Sequence, residues 1–236
     1  MDDFGRILNT AVHAVRNAIE QSEIEQAAHG ADARPEREFH DFLAAAFRES
    51  GFGTFAEQPF PGEIGFHLRE SARERCDFAL TMDGAPLRDP QRELLQRLEA
   101  DSTLFAQSTI TPIGAEPEDA VWIELKVIRR FIAGRNAPGP NQAYGAEMSR
   151  AIRDLHKLHK DSRIHRAALL LILFTESPEI ANRDVRDAVI LAMKEGLFPK
   201  EPRWESLPIP DRIGNANVHI VLLPIMSSFN SGRIIN

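Results

Sequence analysis

Glu124 and Lys126 stand in the run 121-VWIELKVIRR-130, two charged side chains inside an otherwise apolar stretch. Residues two apart share one face of a strand. The carboxylate and the ammonium therefore project together with Trp122, while Val121, Ile123, Leu125 and Val127 turn the other way. A second acid, Asp77, has the same setting in 75-RCDFAL-80. If these strands are neighbours, Asp77 and Glu124 approach each other, and two close carboxylates repel unless a cation lies between them. Hard oxygen ligands from two strands, completed by water, suit Mg²⁺ or Mn²⁺. Such an ion acidifies and orients a water and neutralises charge building on a phosphate. A lysine beside it can position or deprotonate that water, or steady the phosphate. The competing reading is a structural ion pair, although charges on a central strand usually have a partner or a task.

An Asp-bearing strand, a Glu-x-Lys strand, a helix and an apolar strand, in that order, resemble the PD-(D/E)XK nuclease superfamily, whose core is that of restriction endonucleases. The motif reads Asp77…Glu124-Leu125-Lys126. The resemblance implies an α/β fold, a restriction-endonuclease-like mixed sheet flanked by helices. It implies that Asp77 and Glu124 hold Mg²⁺ or Mn²⁺, that the Leu125 carbonyl adds a ligand, and that Lys126 assists the attacking water. The stretch 36-EREFHDFL-43 resembles the first core helix of archaeal Holliday-junction resolvases in that superfamily. This makes Glu36 a further catalytic and metal-binding acid, with Glu38 the second choice. Glu36 falls on the side of Phe39 and Leu43, and Glu38 on that of Phe42; both also suit the positive end of a helix dipole. The helix after Lys126 is expected to bring Gln142 or Tyr144 near the site. The implied activity is Mg²⁺-dependent hydrolysis of DNA by a homodimer, without a covalent intermediate, in prokaryotic defence or DNA processing. The alternatives are an inactive binding or assembly module on the same fold and, more weakly, an RNA nuclease. Cys76 replaces the proline that names the superfamily.

The net charge is −7, but its distribution is uneven. From Glu124 to Leu170 there are ten Lys/Arg against four Asp/Glu, a segment of +6. A local basic face attracts phosphates while the remainder stays acidic; a solvated helix surface explains the same pattern. The candidate nucleic-acid contacts are Arg73, Arg75, Arg129, Arg130, Arg153, Lys157 and Lys160. His156 and His159, spaced three apart, lack an acid or cysteine at matching spacing and read as a surface pair rather than a zinc site. No Walker loop, GxGxxG or GxSxG motif offers a rival chemistry.

Apolar periodicity predicts helices over 4–28, from Pro35 to Gly51, over 142–160 and over 182–196. Strands are expected at 53–58, 64–68, 75–82, 121–128, 166–174 and 218–225. The run 166-RAALLLILF-174 is apolar at nearly every position, as a strand covered on both faces must be. Residues 84–119 read as an insertion carrying an amphipathic helix near 90–100 (Leu94, Leu95, Leu98), a place for specificity together with the C-terminal part. The domain reading is an N-terminal helical appendage, 1–30, and one nuclease-like domain, 31–236. The single cysteine, Cys76, excludes an internal disulfide and fits a cytoplasmic protein. The N-terminus has no signal-peptide pattern, and no run is long enough to span a membrane.

Overall fold

The computed structural model describes residues 2–25, 30–62, 74–89, 93, 113–134 and 137–226. The elements in chain order are α1 (Asp3–Ile24), a 3-10 turn (Ala31–Ala33), α2 (Glu36–Glu49), β1 (Gly53–Pro59), β2 (Arg75–Thr81), β3 (Val121–Arg129), the short strands β4 (Phe131–Ile132) and β5 (Gly139–Pro140), α3 (Tyr144–Lys160), β6 (Arg166–Thr175), α4 (Pro178–Lys194), β7 (Arg203–Pro208) and β8 (Asn217–Met226). The main sheet has six strands in the order β1-β2-β3-β6-β8-β7. β3 and β6 are parallel, and every other neighbouring pair is antiparallel. The result is a mixed α/β fold, with a mostly antiparallel sheet between two helical layers.

β6 shows why the apolar run is unbroken. Ala168, Leu170, Ile172 and Phe174 pack in the cluster beneath α1 and α2. Ala167, Leu169, Leu171 and Leu173 pack in the cluster beneath α3 and α4. Each fully buried Leu or Phe contributes about 1.5–3 kcal/mol relative to exposure, so both layers are firmly held. α3 buries Met148, Ala151, Ile152, Leu155 and Leu158, one stripe at helical spacing. α2 buries Phe39, Leu43 and Phe47. It ends at Gly51, whose φ of +83° lets Phe52 N–H reach back to Phe47 O while Gly51 N–H bonds Arg48 O. The Phe47 and Phe52 rings meet edge-on at 5.8 Å, the apolar contact that seals this kind of helix end.

α1 is no appendage to this core. Ile7, Ala11, Val12, Val15 and Ala18 are buried in the same cluster as α2 and the sheet. The fourth long helix begins at Pro178, earlier than its apolar residues suggest, because Ser177 caps it and proline suits its first turn. β7 has no counterpart among the expected strands: it is an edge strand with mostly exposed side chains, so no alternation marks it. The expected strand at 64–68 and the helix at 90–100 lie outside the described residues. No described helix is long and apolar enough to cross a membrane.

Candidate functional site

The site forms where two strand ladders are interrupted at one place. β1 pairs with β2 from Gly53↔Thr81 to Ala56↔Phe78 and again at Gln58↔Cys76, passing over Glu57 and Asp77. β2 pairs with β3 from Leu80↔Val121 to Phe78↔Ile123 and stops one residue short of Asp77 and Glu124. Side-chain alternation slips at the same point. Phe78 and Leu80 face one core, whereas Cys76 joins Ala79 in the other. Beyond Ile123, the edge of β3 facing β2 therefore needs other hydrogen-bond partners. Acidic side chains supply them: Leu125 N–H donates to Asp77 Oδ2 at 2.7 Å, and Val127 N–H donates to Glu36 Oε2 at 2.8 Å. The Cys76 thiol donates to the Ile123 carbonyl at 3.1 Å, buried and inert, its pKa pushed well up by that burial.

At this opening Asp77 adjoins Glu124 and Lys126 reaches Glu36, but the expected metal set Asp77, Glu124 and Glu36 is not a group whose ligand atoms all lie within 4.8 Å of one another. Glu124 is 6% exposed and hydrogen-bonds Asp77. Burial, then the Asp77 charge, pushes the Glu124 carboxyl up to about 9. Lys126 Nζ lies 3.6 Å from Glu36 Oε1 and 3.6 Å from Asp154 Oδ2, spanning from α2 across the sheet edge to α3. Burial pulls the lysine pKa down, but Glu36, Asp77, Glu124 and Asp154 outweigh it and the net shift is upward. Lys126 is thus an ammonium that holds and donates, and its environment opposes the alternative of a lysine that strips a proton from water. Glu36, Asp77 and Leu125 line an open cleft of about 400 Å³, which His40 and Glu57 also line.

No family model, curated protein or solved structure matches this chain. The chemistry is therefore read from the site itself.

Three residues at the site had no part in the sequence reading. Asp154 contacts Lys126, and its signal was legible: it follows Ala151 by three residues and precedes Leu158 by four, on the inward side of α3. His40 stacks on Phe78, with centroids 4.3 Å apart, and its Nε2 lies 3.3 Å from the Asp77 carbonyl oxygen. Its signal was its place one turn after Glu36. Glu57 had no signal, because its position depends on a backbone conformation that β1 adopts only there.

Several expected contacts are corrected by the fold. Glu38 turns to Arg34, at 2.7 Å, rather than to the site. Arg129 is no phosphate ligand: its guanidinium is buried and donates to the carbonyls of Asp32 and Arg34, tying β3 to the turn before α2. Arg130 is held by Asp184 through two hydrogen bonds of 2.9 and 2.8 Å and lies over the Tyr144 ring. Tyr144 Oη donates to the same Asp184 at 2.6 Å, so it too serves the α3–α4 junction. Gln142 is exposed in the turn before α3. Arg163 and Arg166 pair with Glu118 and Asp3. Much of the basic segment thus stabilises the fold instead of forming one cationic face.

Arg75 is exposed and donates to the Glu57 carbonyl at 2.8 Å. Arg153, Lys157 and Lys160 are exposed on α3. Lys157 reaches Asp154 and Glu74 at 3.5 and 3.4 Å, and with Lys160 lines a second cleft of about 400 Å³. Arg73 lies outside the described residues. Among the described residues, His156 and His159 belong to no group able to hold a metal, their ring centroids being 6.4 Å apart.

Proposed function

We propose that the chain is a divalent-metal-dependent phosphodiesterase acting on DNA, built on a restriction-endonuclease-like core. One observation carries the reading. Asp77 of β2 and Glu124 of β3 adjoin each other, and Lys126 reaches Glu36 of α2, beside a cleft lined by Glu36, Asp77 and Leu125 where the sheet is open. The succession α2-β2-β3-α3-β6 keeps the order, acidic helix, Asp strand, Glu-x-Lys strand, helix, apolar strand, on which the PD-(D/E)XK resemblance rests.

The donor set fits a hard divalent ion. Asp77 and Glu124 are adjacent oxygen donors, and burial, then the Asp77 charge, raises the Glu124 pKa more than Lys126 lowers it. These two would hold Mg²⁺ or Mn²⁺, with Glu36 and the Leu125 carbonyl at the same cleft. When bound, the ion supplies charge neutralisation at the phosphate and acidifies a water. Lys126, kept cationic by Glu36 and Asp154, donates to a non-bridging phosphate oxygen and steadies the charge developing there. In the hydrolysis the water oxygen bonds to phosphorus while the bond from phosphorus to one sugar oxygen breaks. The electron pair leaves with that sugar oxygen, which takes up a proton, and the water gives one to solvent. Lys157, 3.5 Å from Asp154, and Lys160 line a second cleft and are the exposed cations of α3 offered as phosphate contacts. Two copies would serve the two strands of a duplex.

A second reading, a binding module without activity, is favoured by one fact. Asp77 and Glu36 each spend an oxygen on the backbone of β3, and Lys126 has partners within the chain. Plasmid nicking separates the two. The test uses Mg²⁺ and Mn²⁺, a chelator control, single-stranded DNA and duplex RNA, with Asp77→Asn and Lys126→Ala beside the wild type. Asn retains an acceptor for Leu125 N–H, so Asp77→Asn removes the charge without opening the strand. Metal-dependent DNA cleavage by the wild type, lost in both variants, is expected. Cleavage of RNA alone would change the substrate, and no cleavage, or equal cleavage by all three, would overturn the reading.

A further inference from the structure

His40, Glu57 and Asp77 come from three elements, α2, β1 and β2, and offer one ligand atom each within 4.8 Å of one another. This is the one such group among the described residues. Glu57 reaches it through an unusual backbone. Its φ of +53° is the single positive value at a described residue other than glycine, at the position that the β1–β2 ladder passes over. Arg75 holds the Glu57 carbonyl from outside, at 2.8 Å.

The imidazole is set up as a ligand. Stacking on Phe78, at an interplanar angle of 16°, fixes its plane. Nε2 lies 3.3 Å from the Asp77 carbonyl oxygen, which can only accept, so the tautomer that makes this hydrogen bond carries its proton on Nε2 and its lone pair on Nδ1, 3.8 Å from Asp41 Oδ1. A ring N–H given to a backbone carbonyl is the bond that commonly orients an imidazole whose other nitrogen binds a metal. Asp77 has capacity for more partners, since a carboxylate offers about four acceptor sites, of which Leu125 N–H uses one and Glu124 another.

We propose that His40, Glu57 and Asp77 bind a second divalent ion, sharing Asp77 with the ion assigned to Asp77 and Glu124. The inference rests on the phosphodiesterase reading only for what the second ion does. Its occupant is a first-row transition ion of the Mn²⁺ class. Mg²⁺ favours an all-oxygen shell, whereas Mn²⁺ and its heavier neighbours accept imidazole beside carboxylates. The two positions thus differ in selectivity. Paired ions a few ångströms apart suit the attacking and leaving oxygens of a phosphate displacement.

Mn²⁺ titration of the full chain, followed by electron paramagnetic resonance and calorimetry, tests this without reference to turnover. The wild type is expected to bind two Mn²⁺ per chain, with the spectral broadening of neighbouring ions. Glu57→Gln and His40→Gln each reduce the count to one and remove the broadening. Glu124→Gln also leaves one, and Glu57→Gln combined with Glu124→Gln leaves none. Glu57 is exposed, so its variant stays informative should His40→Gln disturb the Phe78 stack. A wild-type count of zero, or any count that neither Glu57→Gln nor His40→Gln lowers, overturns the second site, whereas a single Mn²⁺ lost in Glu57→Gln and kept in Glu124→Gln upholds it. If the wild type nicks plasmid with Mg²⁺ and binds one Mn²⁺ lost only in Glu124→Gln, the second site is wrong and the nuclease reading stands. If it binds two Mn²⁺ in the pattern above and cleaves no nucleic acid, the second site stands and the nuclease reading falls.

Discussion

Glu124→Gln should stabilise the metal-free protein while abolishing the site. Glu124 is 6% exposed and presses against Asp77, and its pKa stands at about 9 against an ordinary 4.5. Between these values the folded state holds a proton that the unfolded state has lost, so stability falls as pH rises through that window. The slope is about 1.4 kcal/mol per pH unit, which reaches about 3 kcal/mol by pH 7. Glutamine keeps the shape and can still donate to Asp77, without the proton linkage. In chelator at pH 7 the variant should therefore exceed the wild type by up to about 3 kcal/mol. For an m-value of about 3 kcal/mol/M this moves the urea midpoint by about 1 M. The gap should shrink to near zero at pH 4.5 and widen steadily to pH 8. Adding Mg²⁺ should raise the wild type by about 2.7 kcal/mol at a hundred times its Kd and leave the variant unmoved. Urea unfolding at several pH values, with and without Mg²⁺, measures both effects. A gap independent of pH, or equal stabilisation of both proteins by Mg²⁺, would refute the claim that a lone buried acid pair awaits a cation here.

Removing Asp184 should cost about 3 kcal/mol in urea unfolding, because Arg130 and Tyr144 both lose a buried partner. Arg130→Gln should accordingly lower Tm and leave DNA affinity and its salt dependence unchanged; a reduced salt slope would return Arg130 to the phosphate-binding set. His219 is buried beside Ser206 and Asn217, and burial lowers its pKa from 6.5. Below pH 6.5 the unfolded state binds the proton more readily, so stability falls with pH in that window; His219→Gln should flatten this part of the urea-midpoint profile, and an unchanged profile would dismiss the residue as its source. Glu57→Gly should stay within about 1 kcal/mol of the wild type, because relief of left-handed strain of about 1–2 kcal/mol offsets the entropy that glycine gains in the unfolded chain. The same variant should bind one Mn²⁺ fewer, and a loss of several kcal/mol would show that Glu57 is held for stability instead.

Local pattern carried β3, β6 and α3 because burial on defined faces writes itself into alternation and helical spacing. It also paired Glu124 with Lys126, since a strand fixes which residues share a face. Asp77 was legible as an acid in an apolar strand, and Glu36 through the family resemblance of its helix. The fate of the arginines was not. Arg129 and Arg130 follow the Glu-x-Lys run like surface cations, and only the tertiary fold supplies the carbonyls and the Asp184 that consume them. Glu57 was illegible for a different reason. Its contribution depends on two ladders breaking at one register, and a break of that kind has no composition of its own. β7, exposed along an edge, left no alternation to read.

The broken ladders also bear on why acids stand there at all. An exposed strand edge needs acceptors for its N–H groups, and neutral side chains such as Asn, Ser or Thr would serve. At Leu125 and Val127 the acceptors are instead carboxylates, with a third, Glu124, buried against one of them. Each added negative charge raises the electrostatic cost of the folded state, and Lys126 offsets only part of it, while burial and the Asp77 charge push the Glu124 pKa up. Capping by itself needs no charge, although a carboxylate makes the stronger bond to an N–H. A bound divalent ion would reverse the balance, because close carboxylates that repel one another become favourable around a cation, while Asp77 and Glu36 keep one oxygen each on β3.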